Sequence, residues 1–385
     1  MFSDLPMAER ERSPGAAGAG AGGARESIAR MTDFLVRRDD LRRCRIVESQ
    51  VATLEPGQAL LRVETFGLSA NNVTYAVFGE TMSYWDFFPA EQGWGRVPVW
   101  GFAGVELSEA EGLEPGARVY GYLPPSSQLV VTPADADQRG FVDASPHRAP
   151  LPSAYQRYEL TDADPFYRAG TEELQMVLRP LFFTSFLIDD QLADEGLTAR
   201  GPIVLSSASS KTAIATAFLL AQREGVELIG LTSSRSAEFV EGLGIYDRTV
   251  TYDEIGSLEP GPATYVDLSG DGALRLAVHS HYGEALAHSM VVGATHWAQL
   301  AGGESELPGP SPSFFFAPDR VAKRSRDWGA AQLNLSAADA WHPFCEWTDG
   351  WLEVVHGRGF EAVQSAYLDV LEGRVEPRLA HVLSI

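Results

Sequence analysis

Apolar and polar positions change period several times along the chain. Over residues 45–51 and 59–66 apolar side chains alternate or cluster as they do in strands. Residues 97–106 and 113–122 repeat the pattern with Gly and Pro between them, which predicts short strands joined by tight turns, as in a small barrel. Residues 70–76 read as a turn followed by a short helix. From 171 to 194 the period becomes helical: Leu174, Val177, Leu178, Leu181, Phe182, Ser185 and Phe186 share one face. Thr171 stands at the cap, and Glu172 and Glu173 suit the positive end of the helix dipole.

The next stretch organises the rest. Ile203 to Leu205 is a short apolar run suited to a strand buried on both faces. A polar turn follows, then an Ala/Leu-rich helix over 213–223 closed by Gly225, then a second buried strand over 226–231. Strand, turn, helix and strand in so few residues make a βαβ unit, whose first turn commonly holds a phosphate at the helix N-terminus. The glycine fingerprint is absent here. Ser207, Ala208, Ser209, Ser210, Lys211 and Thr212 offer hydroxyls, backbone amides and one ammonium instead. Those groups suit an anion, and they equally suit a capped helix start without a ligand.

The second strand ends at Thr232-Ser233-Ser234-Arg235. A site for NAD places Asp or Glu there to bind the ribose 2′-hydroxyl. Small hydroxyls beside an Arg favour the 2′-phosphate of NADPH, because a guanidinium pairs with phosphate through two donors. A second helix start with Arg235 in its first turn is the alternative. Further on, residues 263–268 form a buried run with Asp267 near its end, then Ser269-Gly270-Asp271-Gly272, a helix over 273–281 and a strand over 289–294. Alternating strands and helices predict a parallel doubly wound sheet of the α/β class. Its ligands sit at the carboxyl ends of the strands, so Ser269, Gly270, Gly293 and Ala294 become candidates for the nicotinamide side. Turn chemistry alone also accounts for the glycines.

Composition narrows the classes. With 385 residues, two domains are expected. The 52 acidic against 30 basic residues give a net charge of -22, which argues against nucleic-acid partners. Two cysteines, Cys44 and Cys345, make no disulfide framework and fit a reducing, cytoplasmic setting. No apolar run is long enough to span a membrane, and no signal-peptide core opens the chain. Residues 15–23 are Gly and Ala alone, so residues 1–30 are expected to be disordered.

The order of segments carries a resemblance. Phe66-Gly67-Leu68-Ser69, Trp100-Gly101-Phe102-Ala103-Gly104-Val105 and Glu114-Pro115-Gly116-Ala117-Arg118-Val119-Tyr120-Gly121 precede the βαβ unit. Together they resemble the medium-chain dehydrogenase/reductase superfamily, near its zinc-free quinone-reductase branch. Residues 178–187, the Ser-Ser-Ala-Ser-Ser-Lys turn and Phe315-Phe316-Ala317-Pro318-Asp319 resemble the divergent group DUF2855. The resemblance implies a GroES-like β-barrel domain over 31–170 and 317–385, with an insertion at 124–167, and a Rossmann-type domain over 171–316. The insertion either packs near the cleft as a substrate gate or is a surface loop.

Zinc relatives carry Cys and His where this chain has Ser69, Trp100 and Gly101, so no metal is expected. The resemblance also puts Thr184 beside the cofactor, and Tyr75, Asn71 and Asn72 near the nicotinamide as a proton donor and carbonyl holders. Helix packing for Thr184 and turn chemistry for the other three are the alternatives. It further implies pairing of two chains through a strand near 313–317. The basic run Arg320, Lys323, Arg324 and Arg326 either meets an acidic ligand group or balances charge within a helix. The leading expectation is a zinc-independent, NADPH-dependent oxidoreductase acting on a carbonyl or activated alkene of a small molecule. A non-redox, lyase-like enzyme of natural-product chemistry and a ligand-binding protein remain open beside it.

Overall fold

The computed structural model describes residues 30–50, 53–292 and 307–385. The expected disorder before residue 30, Gly293, Ala294 and most of the 300–312 loop therefore lie outside the described residues.

Three sheets form the molecule. A small antiparallel sheet joins β1 (Arg30–Arg37), β2 (Cys44–Gln50) and β4 (Trp94–Gly95). The largest is mixed and nine-stranded. It contains β3 (Ala59–Leu68), β5 (Val99–Ser108), β6 (Arg118–Leu123), β7 (Gln128–Val131), β8 (Pro133–Asp137), β9 (Gly140–Asp143) and β10 (Arg157–Leu160). Its last members, β17 (Glu353–Arg358) and β18 (Leu379–Ser384), come from the far end of the chain. The third sheet has β11 (Ile203–Leu205), β12 (Leu228–Thr232), β13 (Arg248–Thr251), β14 (Ala263–Asp267), β15 (Leu286–Val292) and β16 (Ser313–Phe315). All its pairings are parallel, in the order β13-β12-β11-β14-β15-β16. The first strand in sequence thus lies in the middle, and the winding reverses between β11 and β14. That reversal is where open α/β sheets leave a crevice for ligands.

The helices follow from the sequence periods. They are α1 (Ala70–Val77), α2 (Glu172–Asp194), α3 (Lys211–Leu220), α4 (Ala237–Gly242), α5 (Gly272–Tyr282), α6 (Ala317–Trp328), α7 (Ala330–Thr348) and α8 (Phe360–Leu371). Helix α3 is apolar all round because it is covered on two sides. Ala217 and Leu220 pack on the parallel sheet, while Ala215 and Phe218 meet Phe182 of α2 and Trp341 and Phe344 of α7. Thr171 takes the cap position of α2, but its hydroxyl donates to Arg168 O and leaves the helix amides uncapped. Gly67 lets α2 lie directly on β3: a Cβ there would stand 2.7 Å from Met176 O.

The polar stretch 124–167 is folded into the large sheet. It supplies β7 to β10, with three short turns between and after them. Three of the four basic residues in the run of α6 are spent on structure: Arg320 and Arg324 both bond the Asp190 carboxylate of α2, and Arg320, Lys323 and Arg324 all reach Asp194.

Candidate active site

Strand β11 delivers the chain to the crevice, and Ser206 stitches it shut at the base. Its hydroxyl donates to Asp267 Oδ1 at 3.0 Å and accepts from the amides of Leu268 and Ser269. Asp267 is fully buried and also accepts from Ser269 Oγ, from the Ser269 and Gly270 amides, and from Arg275 at 3.3 Å. The ends of β11 and β14 are therefore tied across the point of reversal. Ser269, a sequence candidate, belongs to this knot.

The turn itself is built for close approach. Ser207 has φ 53°, the left-handed region that usually falls to glycine. Ala208 donates its amide to Leu231 O at 3.0 Å, while Tyr246 donates its hydroxyl to Ala208 O. Ser210 caps α3 by accepting from the Ala213 amide. The amides of Ser209, Lys211 and Thr212, and the hydroxyls of Ser209 and Thr212, have no partner among the described residues. All three residues are half-buried. A partly exposed helix start with free amides attracts an anion through hydrogen bonds and the helix dipole. Tyr252 closes one side, its phenol leaning on the Ser207 amide and hydroxyl.

The Lys211 side chain turns elsewhere. Its ammonium donates to Pro377 O at 2.9 Å and Leu379 O at 2.7 Å, at the entry to β18. Burial without a carboxylate partner lowers its pKa to about 8. Thr184 donates to Pro180 O, one turn back in its own helix, so its hydroxyl is spent within α2. Its neighbour Ser185 reaches Thr212 O at 2.9 Å, binding α2 to the start of α3.

At the end of β12, Thr232 is buried and its hydroxyl has no partner among the described residues. Ser233 approaches only Ser236, and Ser234 and Arg235 are exposed. Arg235 forms no hydrogen bond or ion pair among the described residues, so its guanidinium stands free beside the crevice.

The other half of the site comes from α1 and the large sheet. Tyr75 is buried, and its hydroxyl oxygen accepts from Asn71 Nδ2 at 2.8 Å and Trp100 Nε1 at 3.2 Å. Burial holds its pKa well above the ordinary tyrosine value, so the phenol keeps its proton at neutral pH. Its own hydrogen has no acceptor among the described residues. Asn72 is used up locally: Oδ1 accepts from the Ser69 amide and Nδ2 donates to Pro98 O. Trp100 stacks on Tyr120, linking this cluster to the core beneath α2 and α3. Ser69 is the cap residue of α1. Among the described residues no three His, Cys, Asp or Glu side chains come together as metal ligands do.

Sequence reasoning missed Tyr246 and Tyr252 as builders of the turn, the bonds Ser206 and Asp267 make in it, and Tyr84 and Tyr122 around Tyr75. Asp267 at a strand end before a Gly-rich turn was a visible signal. The tyrosines meet from segments far apart in sequence and gave none.

This architecture, a mixed β lobe joined to a Rossmann-type parallel sheet, is a fold shared with solved reductase structures. Among solved structures, CurA from Vibrio vulnificus in complex with NADPH is similar with a TM-score of 0.60 at 15% identity, over 92% of this chain and 99% of that one. S. aureus TarJ in complex with NADPH matches with a TM-score of 0.57 at 9% identity, over 92% and 99%. A putative NADPH:quinone reductase from Mesorhizobium loti gives 0.57 at 12% identity, over 92% and 98%. No curated protein sequence matches. The profile of the family described as "Protein of unknown function (DUF2855)" matches residues 66–376, and the chain belongs to that family.

Proposed function

We propose that the protein is an NADPH-dependent, zinc-independent reductase of a carbonyl or activated alkene in a small organic molecule. One observation carries this reading: the free amides at the start of α3 and the unpaired Arg235 guanidinium stand at the ends of neighbouring strands β11 and β12. A dinucleotide on such a sheet sets its diphosphate at the first of these positions and its ribose 2′-group at the second. Similar structures hold NADPH, which supports the same assignment.

The residues present fit the cofactor. Ser209, Lys211 and Thr212 would hold the diphosphate through their amides, and Arg235 the 2′-phosphate. NADPH, when bound, supplies the hydride. The chain's own part is to place the substrate and deliver a proton. Tyr75 is set for the second task, since Asn71 and Trp100 donate to its oxygen and leave its hydrogen to point at a substrate. Asn71 fixes that rotamer, and Asn72 fixes the start of α1 beneath it. Pairing with a second copy is placed at β16, the last strand of the parallel sheet among the described residues, and two free cysteines support a reducing, cytoplasmic setting.

The second reading keeps the fold without redox chemistry. It is favoured by the Lys211 ammonium, which is committed to Pro377 and Leu379, and by the Ser206–Asp267 knot across the crevice. Titration with NADPH and NADH, followed by cofactor fluorescence, separates the two. The reductase reading expects NADPH to bind at least about tenfold more tightly than NADH, the worth of one charge-assisted contact. Failure of both to bind ends it.

A further inference from the structure

Four tyrosines converge in the large-sheet lobe, and their hydroxyls do not pair off. Ring centroids lie 4.7 Å apart for Tyr75 and Tyr84, 5.4 Å for Tyr75 and Tyr122, and 4.8 Å for Tyr122 and Tyr155. Phe87 and Trp100 complete the walls, 5.3 and 5.1 Å from Tyr122. The Tyr84 and Tyr155 hydroxyls share one contact of 3.3 Å. The Tyr122 hydroxyl is fully buried and has no partner among the described residues. The phenols of Tyr75, Tyr155 and Tyr84 and the Arg148 guanidinium are the ionisable groups that act on it. A buried hydroxyl left unbonded destabilises the fold, and phenylalanine would fill the same space without that cost.

The ring that covers this orphan comes from a short turn. Tyr155 ends a three-residue 3-10 turn (Ser153–Tyr155), in a stretch without strands between β9 and β10. Its hydroxyl has only the Tyr84 contact, and its backbone amide only a 3.3 Å bond to Pro152 O. Yet its ring touches Tyr75, Tyr84, Phe87, Trp100 and Tyr122. The Tyr155 ring thus fills a slot the size and shape of one phenol ring. That slot has Tyr122 and Tyr75 hydroxyls in its walls and flat aromatic faces around them.

We propose that this slot is the substrate site, that Tyr155 occupies it as a placeholder, and that it takes a one-ring aryl ketone or aldehyde whose carbonyl oxygen accepts from Tyr122. The inference rests on the reductase reading for the chemistry after binding, while binding itself does not need NADPH. The aryl ring replaces the Tyr155 ring against Trp100 and Tyr122, and the carbonyl supplies the acceptor that the phenol of Tyr155 fails to provide. An aliphatic ring of equal size is too thick for walls set at aromatic contact distance.

The test is calorimetric titration of the full chain with acetophenone and with cyclohexyl methyl ketone, alongside NADPH on the same samples. Acetophenone should bind about tenfold more tightly than its saturated analogue, in line with the added worth of aromatic contacts. Tyr155→Ala should tighten acetophenone by about tenfold by removing the competing ring. Tyr122→Phe should weaken it by about tenfold, the worth of one hydrogen bond, with NADPH affinity unchanged. Thermal melts establish that each variant folds, and Tyr122→Phe alone decides the matter if Tyr155→Ala does not. Equal binding of the two ketones, no acetophenone binding, or an unchanged Tyr122→Phe affinity overturns the proposal. If NADPH fails to bind while acetophenone behaves as stated, the reductase reading falls and the slot stands.

Discussion

The ammonium of Lys211 lies 2.7 Å from the carbonyl oxygen of Leu379, so the first residue of α3 grips the entry to the last strand of the other lobe. The grip buries a charge with only carbonyl partners, and burial lowers the pKa to about 8. An unfolded lysine titrates near about 10.4. Between those values the unfolded chain holds a proton that the folded one has released, so this group's contribution to stability rises with pH.

Urea unfolding of the wild type and Lys211→Met at pH 7 and pH 9.5 measures it. The difference in unfolding free energy should move in favour of the wild type by about 2 kcal/mol over that interval. A difference that stays flat means the ammonium is not buried as described.

Arg235 has no partner of its own to lose, so its removal should leave the fold alone. Arg235→Ala should weaken NADPH by roughly 10- to 100-fold, the worth of charged hydrogen bonds, with NADH unaffected. Parallel fluorescence titrations check this. Equal weakening of the two cofactors speaks against a 2′-phosphate contact.

Ser207 sits at φ 53° in the turn after β11. Glycine tolerates that conformation and a β-branched residue does not. Ser207→Gly should melt within about 2 °C of the wild type, whereas Ser207→Val should lose at least about 1–3 kcal/mol. Comparable melting of the two variants would show that the turn is not held in the left-handed region.

Tyr75 offers the one phenol whose oxygen accepts two bonds in the cluster. Once a reducible substrate is in hand, Tyr75→Phe should lower kcat by roughly 10²-fold or more, the usual share of a positioned proton donor. NADPH affinity should not change. Retained turnover would transfer the proton to another group.

Much of the fold was legible because its signals are local. The apolar triplet Ile203 to Leu205 could only be buried, and the helical period from Leu174 to Phe186 returned as one face of α2. Contacts made at long range were not legible. Nothing near Lys211 announces that its side chain turns to Leu379, 168 residues away. Thr171 has the right residue type for a cap, yet its hydroxyl found Arg168 O first. The stretch 124–167 read as an insertion or surface loop because β8 and β9 alternate weakly, and only their pairing with each other and of β9 with β10 makes them strands. The tyrosine cluster draws on α1, β6 and two turns, so no window of sequence contains it.

The missing side chain at Gly67 has a mechanical meaning. Helix α2 runs for 23 residues, about 34 Å, from its seat on β3 to the Asp190 and Asp194 carboxylates that hold α6. It is a lever whose fulcrum is one hydrogen atom thick. A methyl group placed under that fulcrum would tilt the far end by much more than its own width, so the relative pose of the two halves of the molecule is gauged at residue 67.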